Sequence, residues 1–248
     1  MGGSALTTAS PSVSAAEAER IASRHYGMTA RAERLPGEKD ENFRLRGRSQ
    51  DRFLKIAHAA EPAQVTNLST SALLHLAGGA GDLPVQRVIP TLDGAFELEF
   101  ATEDGDARRA RMTTFLDGRP LRSVPSSRAL RENLGRALAR LAVALRSFEH
   151  PQAGRELLWD LQHADKMWPL LDELDGLPHR ELLTSCLERF EADVRPRLSS
   201  LRTQPVHNDF NGDNVLVADD ATTVTGVIDF GDMVVTHVVS DLAVAASV

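Results

Sequence analysis

The sequence predicts an α+β protein of two lobes, a β-rich N-lobe with one crossing helix and a helical C-lobe with a small embedded β-hairpin. Three observations carry this. Up to Phe115 the chain is mostly short runs of alternating apolar and polar residues, punctuated by PGEKDEN, GGAG, DG and EDGD. From about residue 126 the apolar period lengthens to three and four. After Gln204 short strand patterns return around a dense group of Asp and Asn.

Taken in order, residues 1–13 are small and polar and read as a disordered, frayed N-terminus. Ser14 to Glu17 reads S-x-x-E, a capping box that opens a helix running to Tyr26 and stopped by Gly27. Residues 29–35 and 42–58 read as strands joined by the turn PGEKDEN. In RFLKIAH, alternation places Phe53, Lys55 and Ala57 on one face and Leu54, Ile56 and His58 on the other. Pro62 opens a helix over roughly 62–77, ended by the GGAG cluster. VQRVI, FELEF and RRARMTTF read as strands of an antiparallel meander, with ATEDGD (101–106) as a solvated hairpin turn. These segments, 14–116, form the expected N-lobe.

FLDGRPL (115–121) leads into the C-lobe, 117–248. Leu134, Leu138, Leu141 and Leu145 form one stripe of a helix, and further helices are expected over 162–175 and 178–200. PVHND, NVLVAD and TVTGVIDF read as strands, and a last helix starts near Val238. The chain stops at AVAASV in mid-pattern, so the expected C-lobe is cut inside a helix of a longer protein, with fusion to further domains among the expectations.

Composition narrows the function classes. With 28 Lys and Arg against 35 Asp and Glu, the net charge is −7, which disfavours a nucleic-acid binder. A single cysteine, Cys186, excludes an internal disulfide framework and a cysteine-based zinc cluster; in LLTSCLERF it reads as a small buried side chain. No run approaches about 18 apolar residues, so no membrane span is expected. The N-terminus lacks the basic and apolar regions of a secretory signal, and a cytoplasmic protein is the default.

The chemistry concentrates in VHNDFNGDNVLV (206–217) and IDFGD (228–232). A hairpin brings the loop before its first strand close to the loop after its second, so Asp209, Asn214 and Asp229 are expected to converge. Two carboxylates and an amide oxygen make a hard, oxygen-only site suited to Mg²⁺, and such sites usually hold phosphates too. Asp and Asn also cap turns, but a set spaced around a strand pair ending in Asp-Phe-Gly points beyond capping.

His207-x-Asp209-x4-Asn214 followed by Ile228-Asp229-Phe230-Gly231-Asp232 resembles the small-molecule branch of the eukaryotic-like kinases: aminoglycoside phosphotransferases, choline kinases and, most similar, the hydroxylysine-kinase-like subgroup. The subgroup is suggested by the polar loop ending Asn42-Phe43, by FLKIAH, and by the asparagine directly after His207. The resemblance implies a bilobal protein-kinase-like fold and ATP-dependent transfer of the γ-phosphoryl group to a small hydroxylated amine such as hydroxylysine, choline, ethanolamine or an aminoglycoside. It implies Asp209 as catalytic base, Asn214 and Asp229 as ligands of Mg²⁺, and His207 as a scaffold residue. It implies Lys55 at the α- and β-phosphates and backbone N–H groups of the turn carrying Glu38, Lys39 and Asp40 over the phosphates. Phe115 and Leu116 fall at the adenine-binding hinge. Asp232 stands as a second acid with no assigned role. Asp160, Asp165, Asp172 and Glu173 are read as solvated charges ahead of pocket residues.

One position departs from the pattern. The crossing helix normally supplies an acid to pair with the lysine, and Asn67 falls there; Glu61, at the start, is the only acid up to Leu76. A non-catalytic module that binds nucleotide or ligand is therefore the rival reading. An EF-hand counted from Asp209 fails because Asn214 occupies the glycine position. A glycosidase built on Asp209 and Asp229 leaves Lys55 and Asn214 without a role.

Overall fold

The computed structural model describes residues 12–79 and 82–247. Residues 1–11 of the expected frayed stretch lie outside the described residues; Val13 is buried in the first core. Helix α1 spans Ala15–Tyr26, with the Ser14 side chain accepting from the Glu17 N–H at 3.1 Å and Gly27 closing it at φ 64°. Only half of the capping box forms, because the Glu17 carboxylate accepts from the Glu103 N–H at 3.0 Å.

The first sheet is antiparallel throughout. Strands β1 (Ala30–Leu35), β2 (Glu41–Gly47), β3 (Arg52–Ile56) and β6 (Ala107–Thr114) lie side by side in that order. The short strands β4 (Val88–Ile89) and β5 (Leu98–Ala101) share the outer edge of β6. The expected 42–58 stretch thus divides at Arg48–Asp51 into two strands. Alternation turns Phe43, Leu45, Leu54, Ile56 and Met112 onto one face, where Ile21 and Ala22 of α1 cover them. The opposite face carries Lys55, flanked in register by Asn42 and Arg111.

Helix α2 (Ala63–Gly79) crosses between the lobes but buries its apolar stripe in the second core. Leu68, Leu73 and Leu76 pack there with Leu138, Leu141 and Leu145 of α3 (Arg128–Leu145), and with Phe210, Val215, Val227 and Phe230. The Ser69 hydroxyl donates to the Phe230 carbonyl at 3.0 Å, a buried bond across 161 residues of sequence. Between the cores, β7 (Arg119–Pro120) pairs with β9 (Val215–Val217), which pairs with β10 (Val224–Val227) as the expected hairpin. Gly118, at φ 153°, lets this segment dock: a Cβ there would lie 2.5 Å from the Thr225 hydroxyl and 2.9 Å from Leu216.

Residues 161–200 depart from expectation. Leu161–Leu174 forms tight 3₁₀ turns with a break at His163 and Pro169 inside, where the missing N–H removes a helical bond. Helix α4 (Arg180–Arg189) runs through a wide turn into α5 (Arg195–Leu198), and none of these residues is buried. Cys186 is therefore exposed on α4. Asp160, read as a surface charge, is fully buried and accepts from the Thr236 hydroxyl at 2.8 Å and the Gln162 N–H at 3.2 Å. A four-residue strand that sequence reading passed over, β11 (Val234–His237), pairs with β8 (Thr203–Val206) and leads into α6 (Val238–Ala246). Among the described residues no helix is long and apolar enough to cross a membrane.

Candidate active site

His207 follows β8 and is wholly buried. Its Nε2 lies 3.0 Å from the Ile228 carbonyl, its Nδ1 is 3.3 Å from the Asp209 N–H, and its ring meets Phe230 edge-on at 4.8 Å. This partner set assigns the proton to Nε2, and burial pushes the imidazole below its ordinary value. A neutral ring donating at one nitrogen and accepting at the other is a spacer between the two motif loops, as the sequence resemblance implied. Asn208 takes a left-handed φ of 64°, with its N–H held by Asp241 of α6 at 2.8 Å. That anchor lies 33 residues away and gave no sequence signal.

Asp209 projects from this fixed loop. Its carboxylate accepts from the Asn211 and Asn214 side-chain amides, each at 2.5 Å. Burial, then the neighbouring Asp232 and Asp229 carboxylates, push it up to about 7 despite those two donors. The Asn214 carbonyl accepts from the Ile228 N–H at 2.9 Å, closing the open end of the hairpin. The hairpin thus brings Asp209, Asn214 and Asp229 together.

Asp229 is also left-handed, at φ 56°, with Oδ1 accepting from the Gly231 N–H at 3.1 Å. Non-glycine residues held in this region cost roughly 1–3 kcal/mol and cluster at functional sites. The Lys55 ammonium, from the facing sheet, reaches both Asp229 oxygens at 3.1 and 3.3 Å. It also lies 3.1 Å from Asp40, whose second oxygen accepts from the His58 N–H at 2.9 Å. Burial alone would pull the Lys55 ammonium down; the Asp229 and Asp40 carboxylates outweigh it and hold it above its ordinary value. Lys55 in turn holds Asp229 well below the usual carboxylate range.

Among the described residues no three His, Cys, Asp or Glu side chains gather into a cage for a metal. The donor set nevertheless fits Mg²⁺. Asn214 spends its amide N–H groups on the Asp209 carbonyl and carboxylate, which leaves its side-chain oxygen as the donor it can offer a cation. Two hard oxygen donors at an open cleft suit an ion that keeps waters and takes phosphate oxygens.

The other expected positions divide. Asn67 does not join Lys55: its amide donates to Glu97 at 3.3 Å and its oxygen meets His150 Nε2 at 3.2 Å. The helix partner expected for the lysine is thus absent from this contact, and Asp40 stands there instead. Lys39 pairs with Glu61 at 3.0 Å, while Glu38 is exposed. Phe115 lies under the Arg44 guanidinium at 4.1 Å, and Leu116 packs over Gly226 of β10. Sequence reading missed Arg111, which cross-strand register sets beside Lys55, and Trp159, whose indole N–H donates to Asp232 at 3.1 Å. Only the strand pairing could have shown the first; no local pattern marks the second.

A sequence model of the family described as phosphotransferase enzymes matches residues 31–248. This chain belongs to the phosphotransferase enzyme family. As a member it is a small-molecule phosphotransferase with a protein-kinase-like fold. The chain is similar to the hydroxylysine kinase of Danio rerio, 28% identical over 253 residues that cover 94% of this chain and 69% of the relative. The Mus musculus hydroxylysine kinase is 26% identical, over 96% of this chain and 69% of its own length. Among solved structures, a microcompartment-associated aminopropanol kinase superposes with a TM-score of 0.71 at 20% identity, covering 94% of this chain and 74% of the other. A spectinomycin phosphotransferase in complex with ADP and spectinomycin superposes at 0.67 and 14% identity, over 94% of this chain and 73% of its own. At these identities the superpositions speak for the fold alone.

Proposed function

We propose that this protein transfers the γ-phosphoryl group of ATP to the hydroxyl of a small amine-bearing alcohol, of the hydroxylysine, aminopropanol or aminoglycoside kind. The observation that carries the reading is the junction of Lys55 on one lobe with the Asp209, Asn214 and Asp229 set on the other. Residues 14–116 form the nucleotide lobe and 117–248 the catalytic lobe. Lys55 and the N–H groups of residues 38–42 bind the phosphates; the backbone of Phe115 and Leu116 meets the adenine. Asn214 and Asp229 hold Mg²⁺, which supplies neutralising charge to the phosphates.

Asp209 orients the acceptor hydroxyl and takes its proton. The acceptor oxygen forms a bond to the γ-phosphorus as the bond to the β–γ bridging oxygen breaks, and ADP leaves. A carboxyl near 7 is matched to that proton transfer. Asp232 and the exposed Trp159 indole beside it form an anionic, aromatic rim suited to the acceptor's ammonium group. ATP as donor is in keeping with a cytoplasmic setting.

The test is turnover with ATP, Mg²⁺ and a panel of hydroxylated amines. Asp209→Asn is expected to lower kcat by roughly 10²–10⁴-fold with little change in ATP affinity. Nucleotide binding without phosphate transfer or ATP hydrolysis across the panel would overturn the proposal.

A further inference from the structure

We infer that Asp40 is the positioning residue for Lys55, an acid supplied by the β1–β2 turn and not by α2. The inference rests on the proposed function, in which Lys55 serves the nucleotide phosphates. Its geometry is independent of that function. The Asp40 carboxylate is clamped at both oxygens, one on the Lys55 ammonium at 3.1 Å and the other on the His58 N–H at the end of β3, at 2.9 Å. Both side chains are largely withdrawn from water, with 14% of Lys55 and 10% of Asp40 exposed.

Lys55 needs such a partner. Its other anion is Asp229, which under the proposed function would be a ligand of Mg²⁺ and so would be drawn away from the lysine. Helix α2 offers no substitute: Glu61 is bound to Lys39, and Asn67 faces Glu97 and His150. The neighbour of Lys55 across the sheet is a partly buried cation, Arg111, which repels the ammonium. With Asp229 engaged elsewhere, Asp40 is the carboxylate left to hold the Lys55 ammonium in place beside that guanidinium. The same bond hooks the phosphate-covering turn to the strand that carries the lysine, so turn and lysine hold one geometry. Gly37 permits the tight approach that sets Asp40 inward, since a Cβ there would lie 2.4 Å from the Asp40 carbonyl.

The competing role is that Asp40 merely anchors the turn at His58. Asp40→Asn separates the two, because an amide oxygen still accepts from the His58 N–H while the charge is lost. In steady-state assays, Asp40→Asn is expected to lower kcat/KM for ATP roughly 10- to 100-fold and to leave the acceptor KM within about twofold. Asp40→Glu, which keeps the charge, is expected to retain at least about fivefold more activity than Asp40→Asn. On a Lys55→Met background, Asp40→Asn is expected to add less than about twofold. In thermal unfolding of the intact, nucleotide-free protein, Asp40→Asn and Lys55→Met are expected to be non-additive, the double variant losing less than the two single losses together. The inference is overturned if Asp40→Asn matches wild type, if Glu and Asn are equally damaging, or if the loss persists without Lys55. Wild-type activity in Lys55→Met would overturn the phosphate role of the lysine instead, and the unfolding cycle would still decide the pairing, additive losses counting against it.

Discussion

Asp209 sits between two amide donors, yet burial and the Asp229 and Asp232 carboxylates lift it from an ordinary 3.8 to about 7. Between those two values the folded protein binds more protons at this site than the unfolded chain, so stability falls as pH rises from about 4 to 7, and the full cost is present above 7. Asp209→Asn removes the charge and keeps a hydrogen-bonding side chain. It is expected to raise stability at pH 8, by on the order of 1 kcal/mol once solvent screening is discounted, while turnover collapses. Thermal melts at pH 5 and pH 8 check this; a gain no larger at pH 8 than at pH 5 contradicts it. At this scale the spacing of Asp209, Asn214 and Asp229 was enough to predict their meeting, because a hairpin is a local device. The Asp40–Lys55 pair was not legible, since it depends on how a turn folds over a neighbouring strand.

Helix α2 shows what an element-scale reading captures and what it misses. Its start at Pro62 and its end at the glycines were written in the sequence, and its assignment to the N-lobe followed from chain order. Its packing follows the stripe of Leu68, Ala72, Leu73 and Leu76, which the second core receives. Leu73→Ala is expected to destabilise the protein by about 2–5 kcal/mol in urea unfolding, the range for a leucine lost from a closed core. A cost below about 1 kcal/mol would mean that the helix is not held there. The 161–200 region was the least legible part. Its apolar residues have helical spacing, but Pro169 breaks the pattern, and Leu170, Leu177 and Leu182 face solvent. Periodicity alone cannot tell a stripe that meets a partner from one that does not.

At the scale of the whole molecule there are two cores, and the crossing helix gives its leucines to the second. The first, under the sheet, is closed by α1; the second takes leucines from α2 together with α3 and the hairpin. A fragment ending at Leu116 would leave the buried stripe of α2 in water. It is expected to fail to fold, giving collapsed amide dispersion in NMR or aggregation, although the sequence delimits it as a lobe. A monomeric fragment with native-like dispersion would show that the sheet stands alone. The α+β class and the order of elements were readable because each lobe has its own period. The packing of α2 into the second core was not, because it is a property of tertiary structure.

Trp159 stands half exposed at the rim, hydrogen-bonded to Asp232, and it is one of only two tryptophans in the chain. The protein therefore carries its own optical probe. With Trp168 replaced by phenylalanine, the remaining indole emission would come from the mouth of the cleft, so that occupancy can be followed in real time without a coupled enzyme, a radioactive donor or an attached dye.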